Sequence, residues 1–222
     1  MTPRTPLATR RDGPPPAPWA DRLPRPERLV SMPHPSRGDK LRRAVWGIVD
    51  AALYRHVPRP LFGVRRLMLR AFGAKVAGTA KPYPSARIYA PWHLEMRAHS
   101  AIGARVKIYN VAPILLLEDC TVSQDASLCT ASHDFRSPDF ALVAARIIVG
   151  RGAWVAAEAF LGPGVILGDG AVVGARAVVV RSVPPHAVVA GNPARVVSER
   201  VMKGSGPIAA HRLVHREGRA AP

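Results

Sequence analysis

The amino-acid sequence predicts an all-β solenoid, a parallel β-helix with a helical cap at its N-terminal end. Residues 149–184 repeat every six positions, as VGRGAW, VAAEAF, LGPGVI, LGDGAV, VGARAV and VVRSVP. The first position is always aliphatic: Val149, Val155, Leu161, Leu167, Val173 and Val179. The fifth is small or medium apolar, from Ala153 to Val183. A period of six is too long for one face of a strand and does not match the 3.6 of a helix. It suits a chain in which each hexad is one short strand plus a corner, with the aliphatic residues stacking in a narrow prism. Gly or Ala at the second position lets the chain turn tightly there.

The elements follow in order. Residues 1–38 are Pro- and Arg-rich with few large apolar residues, which reads as a disordered arm. Residues 39–75 read as an amphipathic helical cap. Within 40–54, Leu41, Val45, Ile48, Val49, Ala52 and Leu53 fall at helical spacing, with Arg42 and Arg43 on the other face. Pro58 and Pro60 end that helix. From 61 to 72, Leu61, Val64, Leu67, Met68 and Ala71 face Arg65, Arg66 and Arg70. A solenoid needs a cap at its open end; the same pattern also suits a basic helix lying on a membrane. Residues 76–197 form the β-helix and 198–222 a flexible basic tail. The repeat register extends back through Met96, Ile102, Ile108 and Ile114, then slips by three residues and resumes at Leu117, Ser123 and Cys129. At eighteen residues per three-sided coil, this gives four to five coils between about 84 and 190. An insert from about Phe135 to Ile147 breaks the repeat, and inserts in solenoids become loops on one face, often the binding face.

Charge bounds the partners. The chain carries a formal +17, but residues 76–197 hold eleven Lys/Arg against eight Asp/Glu, while residues 1–43 hold ten against four. The excess sits outside the repeat, and no nucleic-acid-binding motif accompanies it, so nucleic acid is not the expected partner. An anionic membrane surface or an anionic lipid-linked glycan fits better. Cys120 and Cys129 cannot make a disulfide framework and suit a reducing cytoplasm. The first thirty residues contain no apolar core of a signal peptide, and no run of eighteen apolar residues occurs.

Chemistry concentrates at TASHDFRSPDF, residues 130–140, where repeat gives way to loop. His133 falls at that break, and Trp154 stands one coil later at an outward position. This predicts an imidazole in a cleft with an aromatic wall. Asp134 follows His133 in an extended segment, points the opposite way and is expected to fix the loop. His93 and His99, six residues apart, read as a surface pair on one face.

The hexads, the SHD motif before a loop, GAWVAAEAF and the closing VPPHAVVAGNPARVV together resemble the hexapeptide-repeat acetyltransferases. The branch most similar is that of the colanic acid biosynthesis acetyltransferases, relatives of the maltose and galactoside acetyltransferases, over about residues 40–197. The resemblance implies a left-handed β-helix, a homotrimer with active sites between subunits, and acetyl-CoA as co-substrate with no metal. It places the general base on His133 and an oxyanion-binding backbone N–H near Ala157, where the family often has Ser. It places coenzyme A along Trp154, Ala157, Gly174, Ala175, Val180, Arg181 and Arg195. Two arginines there are suited to phosphates. Asn110, Asp134 and Asp139 are its candidate contacts to a sugar acceptor. The implied activity is O-acetylation of a sugar in cell-surface glycan synthesis, in the cytoplasm or peripheral to the inner face of the membrane. N-acylation of an amino-sugar nucleotide is the alternative. A zinc hydratase of the same repeat class needs three converging histidines, and no H-x4-H surrounds His133; a non-catalytic scaffold would not need the SHD loop.

Overall fold

A computed structural model describes residues 28–32 and 36–201. Most of the predicted arm and tail lie outside the described residues. The chain coils into a three-sided prism. Face 1 holds the strands Lys75–Val76, Leu94–Met96, Ile114–Leu116, Ile147–Val149 and Ile166–Leu167. Face 2 runs from Lys81–Pro82 to Ala187–Ala190, and face 3 from Arg87–Ile88 to Val178–Val179. Neighbouring strands on each face pair in parallel, one coil above the other. The first-position residues Val149, Val155, Leu161, Leu167, Val173 and Val179 all point into the prism, none more than 2% exposed. The solenoid begins at Lys75, earlier than the sequence reading placed its first coil.

The register between Ile108 and Leu128 corrects the sequence reading. The inward residues are Leu116, Val122 and Leu128, paired with Met96, Ile102 and Ile108, and each is fully buried. Leu117, Ser123 and Cys129 are one position further on and only partly buried. The slip is therefore two residues, not three. It arises at the corner between faces 3 and 1, which is widened in both early coils, from Ile88 to Met96 and from Ile108 to Leu116. The same corner in the next coil carries the insert, so site and register break share one place.

Two helices, α1 (Arg37–Ala52) and α2 (Phe62–Ala71), close the N-terminal end. Ser36 and Asp39 start α1 with reciprocal side-chain-to-backbone bonds. In each coil, backbone N–H groups reach forward: Ala77 to the Met96 carbonyl, Lys81 to Ser100, Tyr83 to Ile102 and Tyr89 to Ile108. The equivalent carbonyls of the first coil, those of Val76, Ala80, Pro82 and Ile88, have no coil before them. Arg70 donates to Val76 (2.8 Å), Arg66 to Ala80 (3.0 Å), Arg65 to Pro82 (2.8 Å) and the Trp46 indole to Ile88 (2.7 Å). Arg65 is fully buried and also bonds the carbonyls of Val57, Pro58 and Arg59. The arginines of α2 therefore face the protein, against the expectation of a basic outer face. Desolvated carbonyls need donors, and a guanidinium supplies five in a fixed fork.

Candidate active site

The insert is a β-hairpin rather than a plain loop. Ala131–His133 pairs antiparallel with Leu142–Ala144, placing His133 opposite Leu142. Val30–Ser31 adds a third strand, with Val30 opposite Ala144. Part of the segment assigned to the disordered arm is thus a strand of the candidate site. The tip is tied by Asp134, whose carboxylate accepts from the Arg136 N–H (3.0 Å), and by the Ser137 hydroxyl, which donates to the Asp139 carboxylate. Asp134 and Asp139 therefore shape the tip.

His133 is exposed, and its Nδ1 lies 2.8 Å from the carbonyl oxygen of Phe140. A carbonyl only accepts, so Nδ1 carries the hydrogen. The neutral ring then presents Nε2 as an acceptor. The Phe140 ring stacks on the imidazole, 4.4 Å away and 8° from parallel. Phe140 itself sits at φ +50°, a strained conformation for a bulky residue.

A cleft of about 310 Å³ opens beside the hairpin at the same corner. Its walls come from Met32, α1 (Asp39, Arg43), Tyr89, Trp92, His93, Tyr109 and Leu142, the last being the residue opposite His133. The Tyr89 and Tyr109 rings lie 4.8 Å apart, and the Arg43 guanidinium sits over Tyr89 and donates to its hydroxyl. Partial burial, with Tyr89 alongside, pushes the Tyr109 phenol above its usual pKa, so it stays a donor. Hydrogen bonds from Ser36 hold the Asp39 carboxyl below the usual range. The cleft thus combines flat aromatic surface with charged groups, a lining suited to a polar ring with apolar faces.

Several expected contacts take other places. Asn110 is fully buried, and its amide is spent on the backbone of Ala90, accepting from its N–H (2.9 Å) and donating to its carbonyl (2.7 Å). It cannot reach an acceptor and instead clamps the widened corner. His93 lies at this corner, its Nδ1 3.2 Å from the Asn110 carbonyl, whereas His99 occupies a left-handed turn on the next side of the coil. Six residues are one third of a turn of the prism, so the two do not share a face. Trp154 stands on face 2, half exposed, and donates to the Ser123 hydroxyl (2.9 Å). Within one chain the aromatic wall on His133 is Phe140, not Trp154.

The remaining candidates divide between two corners. Ala157, Gly174 and Ala175 turn the chain between faces 2 and 3, where the Ala157 carbonyl accepts from the Arg176 N–H. Among the described residues the Ala157 N–H makes no hydrogen bond. A Cβ on Gly174 would meet the Ala190 Cβ and the Val189 carbonyl at 3.2 Å, so coil packing alone accounts for that glycine. Arg195 is exposed beside this corner and bonds the Ala194 carbonyl. Val180 and Arg181 lie at the corner between faces 3 and 1, both exposed, and Arg181 has no partner among the described residues. Past the β-helix, Arg195–Glu199 returns as an antiparallel strand, and Arg200 donates to the Gly152 carbonyl (2.7 Å). The final strand therefore runs to Glu199, two residues past the expected end of the β-helix, and Arg200 ties the segment after it to the coils.

No family model matches the chain. It is 38% identical to WcaF of Escherichia coli K12, named as a colanic acid biosynthesis acetyltransferase, over 164 residues, 74% of this chain and 90% of that protein. Its fold matches a galactoside acetyltransferase solved with coenzyme A, at a TM-score of 0.67 and 18% identity, covering 76% of this chain and 85% of the other. It also matches a hexapeptide-repeat acetyltransferase of Vibrio cholerae solved with acetyl-CoA, at a TM-score of 0.66 and 21% identity, covering 76% and 92%. With the repeat, the capped left-handed solenoid and the hairpin bearing His133, these likenesses show that the chain belongs to the hexapeptide-repeat acetyltransferases, in the branch that contains WcaF.

Proposed function

We propose that this acetyltransferase moves an acetyl group from acetyl-CoA to a hydroxyl of a sugar in a cell-surface glycan, with His133 as general base. The observation that carries the reading is the Nδ1 bond of His133 to the Phe140 carbonyl, which leaves Nε2 free to take a proton. An imidazole changes charge near neutral pH and suits that task. The acceptor oxygen attacks the thioester carbon while its proton passes to Nε2. The tetrahedral intermediate collapses, the carbon–sulfur bond breaks, and Nε2 returns the proton to the leaving thiolate. The cleft of Tyr89, Tyr109, Trp92 and Arg43 holds the sugar beside this base.

The free Ala157 N–H suits the developing oxyanion, and Arg181 and Arg195 suit the coenzyme's phosphates. In one chain Ala157 and His133 turn different corners of the prism, so a complete site needs a neighbouring subunit. We infer a homotrimer, working in the cytoplasm at the membrane face where glycan units are built on lipid. Light scattering at three times the chain mass supports this assembly; an active monomer refutes it.

The test of the reaction is thiol release from acetyl-CoA against a panel of neutral sugars, amino sugars and lipid-linked oligosaccharides. An ester product, cleaved by hydroxylamine, is expected. An amide product would move the reading to N-acylation.

A further inference from the structure

A surface helix ordinarily turns its charges outward and its apolar stripe toward the core. Helix α2 buries Leu69 and packs Met68 on the core, but it turns guanidinium groups inward as well. Arg65, Arg66 and Arg70 donate to first-coil carbonyls, Arg70 from the exposed rim of the helix, and the large apolar side chains left outside are Val64 (43% exposed) and Leu67 (67% exposed). Helix α1 buries Trp46 and Asp50 and leaves Leu41, Val45 and Ile48 outside, the last 68% exposed. From residue 44 to 54 the only charged side chain is Asp50, which is buried and bonded to Arg55. Each cap helix thus carries an apolar stripe on its outer side. Solvent would not select it, and the arginine cap leaves these helices little freedom to rotate it inward.

We propose that this outer face of α1 and α2 is a membrane-docking surface that inserts shallowly into an anionic lipid bilayer. The charge around the stripe chooses this occupant over a second copy of the chain. Arg37 lies one turn before Leu41 on the same side of α1, Lys40 lies one turn before Ala44, and neither makes an ion pair among the described residues. Residues 1–43 carry ten Lys/Arg against four Asp/Glu in a chain of formal charge +17. A second copy would meet Arg37 and Lys40 with no free carboxylate on either helix, since Asp39 is bonded to Ser36 and Asp50 to Arg55. Anionic headgroups neutralise these cations while the acyl boundary takes the leucines, the two features that interfacial helices combine. At 16 residues α1 spans about 24 Å, and no described helix is long and apolar enough to cross a membrane, so the contact lies in the interface plane. The lipid-linked acceptor proposed for the enzyme gives such docking a use, but the surface is read from the helices alone.

The test is co-sedimentation of the full-length protein with extruded vesicles of pure phosphatidylcholine or of phosphatidylcholine with 30% phosphatidylglycerol as the chosen probe, at low and high salt. Expected is binding to the anionic vesicles about tenfold or more above the neutral ones, falling as salt rises. Ile48→Ser and Leu67→Ser should each weaken it about three- to tenfold. The triple variant Leu41→Ser/Ile48→Ser/Leu67→Ser should lose it while keeping its light-scattering mass and its turnover of a soluble acceptor. The proposal is overturned if the wild type ignores anionic vesicles at low salt. Unchanged binding by both single variants also overturns it. So does loss of oligomeric mass in the serine variants, which would make the stripe a subunit interface.

Discussion

The Phe140 backbone and side chain both act on His133: the carbonyl accepts from Nδ1 at 2.8 Å, and the ring lies flat on the imidazole at 4.4 Å. The imidazole and the carbonyl that orients it are seven residues apart on one hairpin, so no carboxylate is needed to fix the tautomer. His133→Ala is expected to lower kcat by roughly 10²- to 10⁴-fold with little change in acetyl-CoA affinity. Phe140→Ala removes the stacking but keeps the carbonyl. A loss of about 0.5–1.5 kcal/mol corresponds to a two- to tenfold fall in kcat. Steady-state kinetics with both substrates varied separate the two; near-normal turnover of His133→Ala removes it from the mechanism.

Asn110 should behave as a structural residue. Asn110→Ala strands the buried N–H of Ala90, at about 1–3 kcal/mol, while the Ala90 carbonyl keeps the His93 N–H (3.0 Å). Urea unfolding of the variant should show a loss in that range. The KM for acceptor should move little at temperatures where the variant stays folded, and a large KM rise without loss of stability would return Asn110 to the acceptor site.

Arg65 should matter more for folding than any other cap residue. Arg65→Met removes the donor to the carbonyls of Val57, Arg59 and the buried Pro82, while the Pro58 carbonyl keeps the Leu61 N–H; the stranded Pro82 group alone costs about 1–3 kcal/mol. Arg65→Lys should rescue little, because one ammonium cannot reproduce the guanidinium fork. Thermal unfolding of the three proteins side by side is the measurement.

Arg181 and Arg195 are expected to contribute to coenzyme binding. Replacing either with Ala should weaken acetyl-CoA binding by about 1–3 kcal/mol if it pairs with a phosphate. Calorimetry with acetyl-CoA and with its 3′-dephospho form assigns the contact. A residue that reads the 3′-phosphate loses its effect on the shorter ligand.

The hexads made the solenoid legible because each aliphatic residue meets the same neighbour one coil later, which fixes a period in the sequence. The coils of 20 residues before the insert were harder to read. Their two extra residues hold a corner through buried backbone and Asn110, and such contacts leave no apolar signature. His133 could be found because it stands where the period stops. Tyr89, Tyr109, Arg43 and Met32 could not, since they come from separate coils, a helix and an N-terminal strand that only the fold brings to one cleft. The α2 arginines misled for a related reason. Helical spacing separates two faces but does not say which is outside, and here unpaired carbonyls outbid water for the guanidinium groups.

A stack of parallel coils has two dissimilar ends, and an exposed first coil is a template on which another molecule's last coil could settle and a filament could grow. Arg65, Arg66, Arg70 and Trp46 occupy the acceptors such growth would use. The cap is thereby a stopper as well as a support. Variants that weaken it should fail by end-to-end polymerisation before they fail by melting, and the enzyme's solubility is then a property of a handful of donors at one end of the prism.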